Sequence, residues 1–185
     1  MLRLRGLLPL AAVVAVIAAC SGKDPYEPGE AVGTFRVTGQ LTQTTCGQPP
    51  NPWEFDVKVN RDGSTLYWIQ GAQPIAGEVD ASGRTTMKAS FVHEVRPADE
   101  RKKLAACSIA RTDVLAMALA RADERPAADP ADVRSFSGII SYTFAPTEGS
   151  SCDDQLTATG GGYDALPCVV SYQLTAKMTK PAESN

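Results

Sequence analysis

The chain has 185 residues, of which 43% are hydrophobic and 21% are charged, and its formal net charge is −3. That length suits one domain with its own core behind a removable leader. The mild acidity, with Arg101-Lys102-Lys103 as the one run of adjacent cations, argues against a nucleic acid as partner.

Residues 1–19 have the order of a signal peptide. Arg3 and Arg5 precede an apolar run, residues 7–19, that is too short to span a membrane as a helix. The run ends at Ile17-Ala18-Ala19-Cys20, which resembles the lipobox of bacterial lipoproteins. The resemblance implies cleavage before Cys20 and attachment of a diacylglyceryl group to its thiol, with a further acyl chain such as palmitate on the new amino terminus. The alternative is an ordinary secretory signal, with Cys20 left as a thiol.

The residues after Cys20 predict where the protein is held. In the lipoproteins that this leader resembles, a serine at the place of Ser21 favours the outer membrane over the inner one. Residues 20–32 contain Pro25, Pro28 and Gly29 among charged residues, which is typical of a tether. We therefore expect a lipid-anchored protein of the bacterial cell envelope, with a domain over 33–180 and a short tail at 181–185.

Alternation of apolar and polar residues with period two dominates the chain from Gly33 onward, and it predicts half-buried strands. One stretch, 107–120, is ambiguous because its alanine, leucine and methionine content also suits a helix; its neighbours favour a strand. The predicted strands cover 33–42, 53–59, 64–70, 75–79, 84–96, 107–120, 136–144 and 168–178.

Short connections join most of these strands, so the fold class is all-β. An antiparallel meander of about eight strands removes its exposed edges by closing on itself, as a small barrel or a flattened sandwich. The first strand contains Gly33-Thr34-Phe35. This resembles the Gly-x-Trp start of lipocalins and other calycins, with Phe in place of Trp, and covers three residues.

The other four cysteines predict two disulfides, because an export signal precedes them. In a closed meander all four lie at one end. Strands one and eight are then neighbours, as are six and seven, which favours Cys46–Cys168 with Cys107–Cys152. The rival pairing is Cys152–Cys168 with Cys46–Cys107. Zinc is the competing interpretation, but the chain has no Cys-x-x-Cys and its one histidine is His93.

One polar cluster is predicted inside the barrel. By alternation His93 points inward near the end that bears the cysteines, and Arg111 and Asp113 share a face of the next strand. Together they would grip a ligand carboxylate or carbonyl. The plainer interpretation is a buried Arg–Asp pair beside a histidine of the core.

These observations predict a non-catalytic lipoprotein whose β domain binds a small apolar ligand or an envelope partner. The alternative is a periplasmic inhibitor or an assembly accessory that acts through the loops at the rim. An enzyme ranks third, because the chain lacks a Gly-x-Ser-x-Gly motif and has a single imidazole. No metal or cofactor is expected.

Overall fold

A computed structural model of the chain describes residues 25–71 and 73–182. The predicted signal peptide, Cys20 and the first residues of the predicted tether lie outside the described residues. Within the described part the chain forms eight strands and four short 3-10 helices. The strands are β1 Glu30–Thr44, β2 Trp53–Asp62, β3 Thr65–Ile69, β4 Ile75–Glu78, β5 Arg84–Arg96, β6 Cys107–Ala120, β7 Ser135–Pro146 and β8 Cys168–Pro181.

The eight strands form one antiparallel sheet in the order β4-β3-β2-β1-β8-β7-β6-β5. Strand β1 pairs with β2 on one side and with β8 on the other, and the sheet curls into a nearly closed barrel. This confirms the predicted all-β meander, including the strand at 107–120. The helix propensity of this stretch is overridden because β6 has an alternating pattern and is paired with a strand on each side.

The seam of the barrel lies between β4 and β5, although these strands are consecutive in the chain. Among the described residues, one isolated β-bridge lies at this seam, between Val79, directly after β4, and Thr85 of β5. A Cβ on Gly77 would lie 2.7 Å from the Thr85 Oγ1 atom and 2.7 Å from the Thr86 carbonyl oxygen. Glycine at this position therefore allows the two strands to approach closely. The buried Thr85 hydroxyl has no hydrogen-bond partner among the described residues, so the seam is stabilised mainly by packing.

The two ends of the barrel differ in their loops. One end, called the cysteine end below, carries the loops 45–52, 70–74, 97–106 and 147–167. The opposite end, called the far end, carries the connections 63–64, 79–83 and 121–134.

The interior is packed in the half next to the far end. Phe35 and Phe136 contact each other there with ring centroids 5.5 Å apart. The largest fully buried side chains of this half are Phe35, Val37, Val57, Val59, Leu66, Met87, Leu115, Leu119, Val133 and Leu174.

Two disulfides connect strands at the cysteine end. They join Cys46 to Cys168 and Cys107 to Cys152, each with 5.0 Å between the Cα atoms. These are the pairs that the order of the meander predicts. The bridged residues are 122 and 45 positions apart, and such long loops give a stabilisation of about 4–5 kcal/mol per bridge on the chain-entropy account.

The sheet begins earlier than the alternation predicts. Strand β1 starts at Glu30 rather than at Gly33, and the residues before it pack against β2. The Lys58 ammonium donates to Glu27, the Asn60 side chain donates to the Pro28 carbonyl oxygen at 3.0 Å, and Arg61 pairs with Glu30 at 2.9 Å. Polar contacts and ladder hydrogen bonds hold this segment, so hydrophobic periodicity gives no signal for it.

Candidate ligand-binding cavity

An open cavity of about 870 Å³ occupies the half of the barrel next to the cysteine end. It lies above the packed half, and strands β2 to β8 together with two rim loops contribute to its wall. It is lined by Pro49, Pro50, Trp53, Trp68, Gln70, Gly71, Gln73, Ile75, Phe91, His93, Arg111, Asp113, Ile140, Tyr142, Phe144, Val170 and Tyr172.

Aromatic rings form much of the wall. The ring of Trp53 lies 4.2 Å from that of Phe55 and 5.2 Å from that of Tyr172, measured between centroids. Trp68 lies at the base of the cavity, where its ring also contacts Phe136 of the packed half at 5.8 Å. Such surfaces provide a large apolar contact area with little side-chain entropy to lose.

Arg111 and Asp113 form an ion pair at the cavity wall, as their shared face on β6 predicts. The Arg111 Nε atom donates to Asp113 Oδ1 at 2.7 Å, and Nη2 donates to Oδ2 at 2.5 Å. The Asp113 side chain is 2% exposed and that of Arg111 is 46% exposed. The buried carboxylate is therefore satisfied by the bidentate contact, while one edge of the guanidinium faces the open space.

Two aromatic rings enclose the guanidinium of Arg111. Its Cζ atom lies 5.3 Å from the ring centroid of Phe91 on β5 and 5.3 Å from that of Tyr142 on β7. The register explains this position, because Phe91 is paired with Arg111 and Tyr142 is paired with Asp113. Cation–π contacts of this kind fix the plane of the guanidinium.

Tyr142 brings a hydroxyl group to the cavity wall. Burial raises its pKa well above the usual tyrosine value, and the Asp113 carboxylate adds to that rise. The hydroxyl makes no hydrogen bond to any described residue, so it remains a neutral donor and acceptor. The alternation of β7 places this tyrosine on the inward face, but a tyrosine in an apolar row gives no sign by itself of a polar site.

His93 lines the same cavity without joining the ion pair. It is exposed, and it forms no hydrogen bond or ion pair with any residue that the structure describes. On the neighbouring strand it is paired with Ile109 rather than with Arg111. The predicted three-residue cluster is therefore an Arg111–Asp113 pair with His93 farther along the wall.

A proline-rich loop lies beside the mouth of the cavity. The Tyr172 hydroxyl donates to the Pro50 carbonyl oxygen at 3.0 Å, and the Leu41 amide donates to the Asn51 side chain at 3.1 Å. Pro49 and Pro50 both line the cavity. These two bonds connect the loop to strands β1 and β8.

Arg96 holds the two long loops of the rim together, a role that the alternating pattern of β5 does not predict. Its guanidinium donates to Asp154 at 2.7 Å, to the Ser151 carbonyl oxygen at 2.7 Å and to the Ala105 carbonyl oxygen at 2.9 Å. The hydrogen bond from Arg96 lowers the pKa of Asp154. The residue pattern gives no signal for this role, because the acceptors in the second loop, Ser151 and Asp154, lie 55 and 58 positions away in the chain.

Within 25–71 and 73–182, no group of three His, Cys, Asp or Glu residues has the geometry to hold a metal ion. In the same residues there is no helix long and apolar enough to cross a membrane. Comparison of the chain with protein-family models, with curated proteins and with solved structures finds no match. A functional assignment therefore depends on the geometry of the cavity and on the leader.

Proposed function

We propose that this chain is an envelope lipoprotein, anchored through acylated Cys20, whose barrel binds a small apolar ligand without catalysis. The observation that carries the binding part is the cavity of about 870 Å³ with aromatic and aliphatic walls at one end of the barrel. Ligand sites typically have volumes of about 300–1,000 Å³, mostly apolar walls and a few polar groups. The leader supports the anchor, and Ser21, which favours the outer membrane in the lipoproteins that this leader resembles, supports an outer-membrane location.

The lining supports a binding role more than a chemical one. Its residues include no serine, threonine or cysteine that could act as a nucleophile. The Asp113 carboxylate is already bound by Arg111 through both of its oxygens. Asp113 is therefore not available to orient His93, which forms no hydrogen bond with any residue that the structure describes.

A matched pair of substitutions on β8 tests the binding site. Val170 is buried and lines the cavity, whereas Val169 lies on the opposite face of the strand. The full chain carrying Cys20→Ser, purified without detergent, would be titrated with the apolar dye N-phenylnaphthylamine. Val170→Phe should weaken dye binding by at least about tenfold by filling the cavity, and Val169→Phe should leave it unchanged.

Two results would overturn the binding proposal: no saturable dye binding at all, or equal weakening by the two substitutions. If the dye binds and only Val170→Phe weakens it, mass spectrometry of lipids that co-purify with the same protein would identify the natural ligand class. The anchor is tested separately. The unsubstituted chain should fractionate with membranes, and a Cys20→Ser chain that still does so would contradict lipid attachment.

One observation favours the second candidate, an inhibitor or assembly accessory that acts through the rim. Arg96 and the Cys107–Cys152 bridge hold the long rim loops in one arrangement, which suits a surface that contacts another protein. Photo-crosslinkers at the exposed rim positions Glu148 and Ala158 should then capture one envelope protein. A crosslinker at Thr175, exposed on the outer face of β8, serves as the control.

A further inference from the structure

We infer that the cavity selects ligands with one uncharged, hydrogen-bond-accepting head, such as an alcohol, an ester or an amide, over carboxylates and amines. The inference rests on the proposed ligand-binding function and adds the chemical class of the ligand. It is carried by the donors that Arg111 leaves unused and by the balance of charge in the cavity.

Arg111 keeps donors for a ligand after it has bound Asp113. A guanidinium has five N–H groups, and Asp113 takes one from Nε and one from Nη2. The Nη1 atom donates to no residue that the structure describes. Since the side chain lines the cavity and is 46% exposed, its remaining N–H groups are available to an acceptor on a ligand.

The charge of the site is already balanced. Among the described residues that line the cavity, only Arg111 and Asp113 carry a fixed charge, and they neutralise each other through two hydrogen bonds. A bound carboxylate would leave two anions, its own and that of Asp113, facing the single guanidinium of Arg111. A bound ammonium would compete with Arg111 for Asp113. A neutral head leaves the balance intact and loses less hydration on entry.

Tyr142 provides an uncharged hydrogen-bonding group beside the guanidinium of Arg111. Its ring lies 5.3 Å from the Arg111 Cζ atom, and its hydroxyl can donate or accept. The other titratable groups of the lining are His93 and Tyr172. The Tyr172 hydroxyl is occupied by its hydrogen bond to Pro50. The test is made at about pH 8, where a free fatty carboxylate is an anion and a free alkylamine is a cation.

The experiment compares four ligands that share a ten-carbon chain and differ in the head. Decanol, decanamide, decanoate and decylamine would each displace N-phenylnaphthylamine from the full chain carrying Cys20→Ser. We expect the two neutral compounds to bind at least about tenfold more tightly than either charged one. This comparison needs no substitution in the cavity, so it does not depend on the folding of a variant.

Removal of the Asp113 charge then tests whether the charge balance causes the preference for neutral ligands. Asp113→Asn leaves Arg111 without its counter-charge, so the affinity ratio of decanoate to decanol should rise at least about tenfold. Asp56→Asn removes the same charge from an exposed position on the outer face and should leave the ratio unchanged. A ratio measured within one protein is insensitive to a general loss of stability.

The outcomes separate the two proposals. If neither the dye nor any decyl compound binds, the ligand-binding function itself fails and the inference falls with it. If the dye binds and decanoate or decylamine equals or exceeds the neutral compounds, the inference is overturned alone. A neutral preference that Asp113→Asn does not shift also overturns it, because the charge balance would not be the cause.

Discussion

Arg111 neutralises Asp113 from two positions away on the same strand, with its guanidinium held between Phe91 and Tyr142. Both residues face inward because side chains alternate along β6. The Asp113 carboxylate is buried, and Arg111 is its one hydrogen-bond partner among the residues that the structure describes. The pair therefore sets both the stability of the cavity wall and its electrostatic character.

Removal of one partner should cost more than removal of both. Arg111→Met leaves the buried carboxylate without a counter-charge, and we expect a loss of about 3 kcal/mol in the free energy of unfolding, at the lower end of the usual range because water reaches the cavity. The double variant Arg111→Met/Asp113→Leu should recover most of that loss. Urea denaturation measures both. A double variant as unstable as the single one would contradict this account.

The seam between β4 and β5 should be sensitive to a single methyl group. In Gly77→Ala the new Cβ would lie 2.7 Å from backbone and side-chain atoms of β5, so the strands must separate or strain. We expect a loss of about 1–3 kcal/mol in thermal or chemical denaturation. Gly162→Ala is the control, since no atom lies within 4 Å of the added carbon. Equal effects of the two substitutions would show that the seam is not closely packed.

The rim should loosen when Arg96 is removed. Arg96→Ala deletes the hydrogen bonds to Ala105, Ser151 and Asp154, so amide hydrogens of the loops 97–106 and 147–167 should exchange faster. The global free energy of unfolding should fall by about 1–3 kcal/mol. Arg36→Ala, which removes exposed ion pairs to Glu54 and Asp56, should leave the free energy of unfolding nearly unchanged. Unchanged exchange in both loops would refute the proposed role of Arg96.

Ionisation of the Tyr142 hydroxyl should make the free energy of unfolding fall at alkaline pH. Because burial raises the pKa of its hydroxyl in the folded state, the corresponding stability is fully present below the usual tyrosine pKa of about 10 and is lost as pH rises toward the folded value. Tyr142→Phe should therefore reduce the fall in unfolding free energy above about pH 10. Some alkaline loss of stability should remain in this variant, because burial also raises the pKa of Tyr172. The prediction would be contradicted if the unfolding free energies of the two proteins fell equally with pH up to about pH 11.

Much of the barrel could be predicted because alternation encodes which face of a strand is buried. The bounds predicted for the strands at 84–96 and 107–120 agree with β5 and β6, and the order of the meander leads to both disulfides. The seam could not be predicted, since it depends on the shortness of β4 and on the close approach at Gly77. Nor does alternation show where the interior is hollow. His93 and Met87 belong to the same inward row, yet Met87 is fully buried and His93 is exposed at the mouth.

The start of β1 and the end of β8 both lie at the far end of the barrel, away from the mouth of the cavity. Gly33 is paired with Pro181 there. The five steps from Cys20 to Pro25 span at most about 18 Å, so the acyl anchor that we propose would keep the start of β1 near the bilayer, at the opposite end of the barrel from the mouth of the cavity. For the same reason, coupling the chain to a sensor chip through its last residues would leave the cavity accessible.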